Sequence, residues 1–105
     1  MADPVWLLVM FDLPTLVAEQ RREATAYRKL LIDRGFSRVQ LSVYSRYMIN
    51  ATATIPIVGF LKNSVPDEGY VRILQLTDRQ WASGWHLFGE SYIQPEAPPE
   101  QLVLF

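Results

Sequence analysis

Asp12 is the residue of this sequence best placed to do chemistry, because it ends a short and strongly apolar segment. Six apolar residues, Trp6 to Phe11, run without a break into Asp12, and Pro14 follows. A run of this length that stops at a proline is typical of a central strand buried on both faces, which we expect to span Trp6 to Leu13. Carboxylates at the carboxyl end of such a strand often bind metals or ligands. An aspartate that only caps the next turn also fits, and the sequence leaves both roles open.

A segment rich in basic side chains is the second feature that could carry chemistry. Seven of the ten lysines and arginines lie between Arg21 and Arg46, and residues 19–46 contain only three acids. This segment is therefore clearly positive, although the whole chain has a net charge of −1. The overall charge argues against a strongly nucleic-acid-bound surface, whereas the local excess keeps a phosphate-binding face possible. A solvated helix face with paired charges would give the same pattern.

The motifs of several other enzyme classes are missing from the sequence. There is no cysteine, which excludes disulfides and thiolate metal sites and fits a reducing compartment. His86 is the only histidine, and its spacing from acids and serines indicates neither a metal site nor a nucleophilic triad. The sequence contains no glycine-rich phosphate loop and no HExxH helix. A metal-dependent reaction would therefore depend on Asp12.

A divalent metal at Asp12 needs more than one carboxylate, because a single carboxylate binds Mg²⁺ weakly. A two-fold homodimer with Asp12 close to its axis would double the ligands. The two Asp12 carboxylates would then lie close together, and they would repel each other unless they shared a cation. Mg²⁺ or Mn²⁺ in that position would act as a Lewis acid towards a phosphodiester.

The remaining elements predict one α+β domain, which 105 residues can build. We expect a helix over about residues 17–34, with Thr15 as its N-cap and Gly35 as its C-cap. Residues 38–48 alternate apolar and polar side chains, as in one bent strand or two strands joined near Ser45. Further along the chain we expect a helix, a strand and a helical turn, over residues 55–62, 70–76 and 78–84.

Two strands in residues 38–48 would make the order βαββαβ, the ferredoxin-like plan. Its helices would cover one face of the sheet, and we expect a homodimer to hide the other by packing the two sheets face to face. Residues 1–94 would form the domain. Residues 95–105 would form a proline-rich spacer and an extra C-terminal strand, QLVLF, that joins the partner's sheet. No apolar run reaches membrane-spanning length and the N-terminus lacks signal-peptide features, so we expect a cytoplasmic protein.

Taken in order, these pieces resemble the small CRISPR-associated protein that partners the integrase in spacer acquisition, the second of the two universal Cas proteins, in its type II version. The resemblance covers about residues 6–92, and QLVLF is similar to the family's C-terminal strand. It is carried by four segments: Asp12-Leu13-Pro14, Tyr27-Arg28-Lys29 in an arginine-bearing helix, Gly35-Phe36, and Gln40-Leu41-Ser42-Val43-Tyr44-Ser45.

The resemblance implies a ferredoxin-like homodimer that is a metal-dependent endonuclease on single-stranded RNA or double-stranded DNA, and that is also the adaptor of the integrase. Asp12 matches the family's metal-binding aspartate, whereas Phe11 stands where the family often has tyrosine, so that hydroxyl is absent. Arginines would hold the nucleic-acid backbone, and two residues of the Ser-Val-aromatic motif would support the site. These residues are Arg21, Arg22, Arg38 and Arg46, with Ser42 and Tyr44 as the supporting pair.

Two other classes of function fit the same residues. In the first, the dimer is a non-catalytic DNA-binding scaffold that bridges integrase subunits, and Asp12 is only a turn or dimer-axis residue. In the second, it is a regulatory ferredoxin-like dimer that binds a small molecule and has no affinity for nucleic acid.

Overall fold

The computed structural model describes residues 3–93, and the predicted spacer and C-terminal strand lie outside these residues. The elements appear in the expected order. They are β1 (Val5–Asp12), α1 (Ala18–Asp33), β2 (Ser37–Gln40), β3 (Val43–Met48), α2 (Thr54–Asn63), β4 (Tyr70–Thr77) and α3 (Asp78–Ala82).

The four strands form one antiparallel sheet in the order β2-β3-β1-β4. This order, with α1 and α2 as crossovers, is the ferredoxin-like plan, so the predicted α+β class is confirmed. The core lies between the sheet and these two helices, where Tyr27 and Leu31 of α1 and Leu61 of α2 are buried. No helix in the described residues is both long enough and apolar enough to cross a bilayer.

The central strand β1 is buried on one face only, and in this respect the prediction of two buried faces is wrong for the single chain. Its odd-numbered side chains, from Val5 to Phe11, are buried beneath the helices. Its even-numbered side chains, Trp6, Leu8 and Met10, are half-buried on the opposite face, and Asp12 is exposed there. We call this second surface the open face; it is the face of the sheet that α1 and α2 do not cover.

The turn between β2 and β3 lies at Leu41 and Ser42, not near Ser45 as the sequence pattern suggested. Ser42 has a φ of 62°, in the left-handed region that L-residues seldom adopt. The register also slips between Arg38 and Gln40, where the strand pair is irregular. Ser45 instead lies inside β3 and is buried.

The caps of α1 are partly as expected. Gly35 follows the helix with a φ of 86° and donates its N–H to the carbonyl of Ile32, as a C-terminal glycine does. The N-terminus does not use Thr15. The side-chain oxygen of Gln20 accepts from the N–H groups of Leu16 and Val17, at 2.9 and 3.1 Å.

The short helix α3 lies at one end of the open face. Trp81 stacks on Trp6, with ring centroids 5.0 Å apart, and the Trp6 indole N–H donates to Oδ1 of Asp78 at 2.8 Å. Trp85, which the pattern paired with Trp81 on one helical turn, lies beyond the helix and is exposed. The end of the open face that carries Asp12 is left uncovered by α3, since β4 runs away from Asp12 towards α3.

Candidate functional site

Asp12 ends β1 on the open face, where two side chains of β4 are its neighbours. In the β1–β4 register Asp12 lies directly opposite Tyr70, and Met10 lies opposite Arg72. Residues directly opposite in an antiparallel pair share a face, so all four point to the open face. Asp12, Tyr70 and Arg72 are exposed, and none takes part in the side-chain hydrogen bonds found within residues 3–93.

The β2–β3 turn lies beside the end of β1, on the side opposite β4. The N–H of Phe11 donates to the carbonyl of Ser42 at 3.1 Å, just past the last paired residues of β1 and β3. The unusual φ of Ser42 therefore sets the path of the chain beside Asp12. The contact is made by the backbone carbonyl of Ser42, and the predicted supporting role of this residue at the site stays a prediction.

Tyr44 packs against the same strand on the face of the sheet that the helices cover. It is buried and stacks on Phe11 with ring centroids 5.8 Å apart, and Phe11 also contacts Tyr27 edge-on. Burial raises the pKa of Tyr44, and the nearby charges of Arg38 and Arg28 oppose this increase. Because this phenol belongs to the core, it anchors the end of β1 from the face opposite Asp12.

The arginines expected to bind nucleic acid lie away from the open face. Arg38 is exposed opposite Tyr44, and Arg46 is half-buried opposite Leu7, so both belong to the helix side of the sheet. Arg21 donates to the carbonyls of Thr15 and Leu16 in the loop that follows β1, at 3.2 and 3.3 Å.

Arg22 is exposed on α1. The expected arginines, which we call the helix-side arginines, thus do not include the neighbours of Asp12 on β4. Their roles in binding stay predictions.

Arg72 is the charged neighbour of Asp12 that sequence reasoning missed. A signal was present, because strict alternation along β4 puts Tyr70, Arg72, Leu74 and Leu76 on one face, where one arginine interrupts an apolar stripe. What the sequence did not contain was the register that puts this face of β4 beside Asp12.

The carboxylate of Asp12 suits a divalent cation that takes few ligands from each chain. Within the described part of the chain no three acidic or histidine side chains come together in a way that could hold a metal ion. Mg²⁺ in proteins commonly keeps several waters and uses one or two carboxylates. Asp12 is exposed, so one copy from each of two chains could meet that requirement.

Comparison with known proteins shows the family to which the chain belongs. The model of the family described as CRISPR associated protein Cas2 matches residues 5–83. The chain belongs to the Cas2 family. The matched region includes the complete four-stranded sheet and Asp12.

Two relatives and two crystal structures show the extent of the similarity. A protein of Flavobacterium psychrophilum named CRISPR-associated endoribonuclease Cas2 is 35% identical over 101 residues, covering 96% of this chain and 88% of its own length. A protein of the same name from Treponema denticola is 37% identical over 98 residues, or 93% and 97% of the two chains.

The crystal structure of Streptococcus pyogenes Cas2 at pH 6.5 superposes with a TM-score of 0.61 and 24% identity, over 80% of this chain and 99% of that one. A second Cas2 crystal structure gives a TM-score of 0.58 and 18% identity, over 90% and 100%. At these identities the two structures show the shared fold.

Proposed function

We propose that this chain is a metal-dependent endonuclease that cleaves phosphodiester bonds of nucleic acid as a homodimer, with one Asp12 from each subunit at the reacting centre. The observation that carries the proposal is the position of Asp12, which is exposed on the open face at the end of the central strand. The name endoribonuclease borne by its relatives favours single-stranded RNA as the substrate, with double-stranded DNA as the alternative.

The open face supports the homodimer. It carries Trp6, Leu8 and Met10 of β1 together with Leu74 and Leu76 of β4, all only half-buried in the single chain. A contiguous apolar surface of this kind on a small domain marks an interaction site, and two-fold pairing is the commonest way to cover it. Because Asp12 lies at the border of the same face, pairing of two open faces would bring two copies of it into one interface.

In this arrangement the two Asp12 carboxylates would hold one Mg²⁺ or Mn²⁺ ion. When bound, such an ion supplies Lewis-acid chemistry: it neutralises charge on a phosphodiester and makes water more acidic. Ser42, through the β2–β3 turn, and Tyr44, through its contact with Phe11, would keep the end of β1 in place. The helix-side arginines Arg21, Arg22, Arg38 and Arg46 would hold the nucleic-acid backbone through phosphate contacts that do not depend on sequence.

The test is a cleavage assay on single-stranded RNA and double-stranded DNA, with Mn²⁺, with Mg²⁺ and with a chelator. We expect metal-stimulated cleavage that Asp12→Asn abolishes and that Asp67→Asn preserves. Asp67 is an exposed carboxylate in the loop between α2 and β4, so it controls for the loss of one negative charge. Cleavage that survives Asp12→Asn, or that is absent with every metal, would overturn the nuclease proposal.

A second candidate is a non-catalytic DNA-binding scaffold that bridges subunits of the CRISPR integrase. The observation in its favour is that Arg38 and Arg46 lie on the helix side of the sheet, the face opposite Asp12, so they can bind DNA without delivering it to that carboxylate. Spacer acquisition in cells separates the two candidates. The scaffold predicts normal acquisition with Asp12→Asn and a defect with Arg22→Gln combined with Arg38→Gln, whereas a nuclease needed for acquisition predicts a defect with Asp12→Asn.

A further inference from the structure

We propose that Arg72 is a catalytic residue of this chain, binding the scissile phosphate beside Asp12 and stabilising the negative charge that grows on it during cleavage. The inference rests on the proposed nuclease function and adds to it a group that the predicted set of arginines did not contain.

The register places Arg72 within reach of the same phosphate as Asp12. Asp12 lies opposite Tyr70, and Arg72 is two residues further along β4 on the same face. Diagonal neighbours of this kind are about 7–8 Å apart, a gap that a long side chain spans. A phosphate bound next to Asp12 would therefore lie within reach of the guanidinium.

The surroundings of Arg72 argue that its charge needs a partner. Along its face of β4, Leu74 and Leu76 continue the stripe, and Met10 lies directly opposite. If a second copy covers this face, an unpaired guanidinium would lose hydration without compensation, which is strongly unfavourable in proteins. Two anions could compensate it, namely Asp12 itself and a substrate phosphate.

A metal at Asp12 makes the phosphate the better partner. A cation held by Asp12 would repel a guanidinium on the same side, so Arg72 would turn towards the substrate phosphate. Arginine suits this task because its planar fork donates two parallel hydrogen bonds to phosphate oxygens. Once bound to the phosphate, the guanidinium would stabilise the transition state more than the ground state, because the negative charge on the phosphate has grown there.

The experiment compares Arg72→Gln with Arg79→Gln in the full-length protein. Arg79 is an exposed arginine of α3, beyond the end of β4 that lies far from Asp12, so its variant loses the same charge. With Mn²⁺ and single-stranded RNA we expect Arg72→Gln to lower kcat by about 100-fold, the effect typical of losing one positioned donor. KM should rise by a smaller factor than kcat falls, because the phosphate contact already exists before the reaction. Arg72→Lys should recover part of the rate, and Arg79→Gln should behave as the unmodified chain.

Two further measurements do not depend on cleavage. Binding of Mn²⁺, followed by electron paramagnetic resonance, should be as tight or tighter in Arg72→Gln, because a repelling charge has gone; weaker binding would mean that the site is damaged and would count against the proposal. Binding of a cleavage-resistant RNA analogue, measured with Mn²⁺ present, should show a salt slope smaller by about 0.7 in Arg72→Gln, the amount expected for one lost phosphate contact on a single strand.

The outcomes decide the proposal in every case. If the unmodified chain cleaves, a kcat of Arg72→Gln within about threefold of the control overturns the role of Arg72 and leaves the role of Asp12 intact. Arg72 would then only pair with Asp12 or protect the edge strand from aggregation. If the unmodified chain does not cleave, the nuclease proposal fails on its own, and an unchanged salt slope for Arg72→Gln then overturns the phosphate contact as well.

Discussion

The guanidinium carbon of Arg34 lies 3.8 Å from the centroid of the Phe60 ring, which connects the end of α1 to the surface of α2. A cation over an aromatic face at an exposed site contributes about 0.5–1 kcal/mol. We expect Arg34→Ala and Phe60→Leu each to destabilise the fold in urea denaturation. In a double-mutant cycle their coupling should equal about 0.5–1 kcal/mol. Strictly additive effects would show that the contact contributes nothing.

The left-handed backbone at Ser42 predicts a particular order of stabilities. A side chain branched at Cβ is poorly tolerated at a φ of 62°, so Ser42→Val should cost about 1–2 kcal/mol. Ser42→Gly should be equal to the unmodified chain or more stable, because glycine adopts this conformation without strain. Ser37→Val in β2 is the matched control, since valine suits a strand. If Ser42→Val were as stable as Ser37→Val, the turn would have another conformation.

Burial of Tyr27 predicts loss of stability at high pH. Burial raises the pKa of Tyr27 from 10.0 to about 12, and its hydroxyl donates to the carbonyl of Leu61 at 3.3 Å. The neutral phenol is therefore favoured in the folded state. Its contribution is fully present below pH 10 and is lost as the pH rises through about 12.

Urea midpoints measured across this range should fall for the unmodified chain and fall less steeply for Tyr27→Phe. Burial raises the pKa of Tyr44 as well, so part of the slope should remain. Tyr92→Phe, at an exposed position, should leave the slope unchanged. If the urea midpoint of Tyr27→Phe fell as steeply as that of the unmodified chain, the pKa of Tyr27 would be the same in the folded and unfolded states.

The N-cap of α3 gives a local prediction. The Oγ1 of Thr77 accepts from the N–H of Gln80 at 3.0 Å, and the Gln80 side chain accepts from the N–H of Thr77 at 2.9 Å. Thr77→Ala should weaken this cap by about 1 kcal/mol, whereas Thr77→Ser should retain it. Hydrogen exchange should accelerate at Gln80 and leave the β1 amides unchanged. Acceleration across the whole sheet would show that α3 is needed for global stability.

The sequence was sufficient to predict the ferredoxin-like fold and the position of Asp12 at the end of β1. The reason is physical: a six-residue apolar run before a proline has few alternatives to a central strand. The ferredoxin-like plan also predicted that the helices leave one face of the sheet open. The apolar run alone did not show this, because a strand covered by a second helix layer and one covered by a second chain need the same side chains.

Local turn chemistry and register were harder to foresee. Apolar alternation continued through Leu41 and Ser42, so the pattern did not mark the turn, which depends on one backbone angle. Thr15 looked like an N-cap, but α1 begins three residues later at Ala18, and Gln20 reaches back to serve instead. Arg72 was not predicted as a neighbour of Asp12, because this neighbourhood depends on the register between β1 and β4.

The stacked indoles of Trp6 and Trp81 have an optical consequence. Their rings lie 5.0 Å apart with an angle of 21° between their planes, close enough for the two chromophores to share an excited state. Such coupling produces paired bands of opposite sign in far-ultraviolet circular dichroism, where the strong indole transition lies. Because the pair lies on the open face, a molecule that binds to this face should change these bands. The spectrum of the unlabelled chain can therefore report whether the open face is occupied.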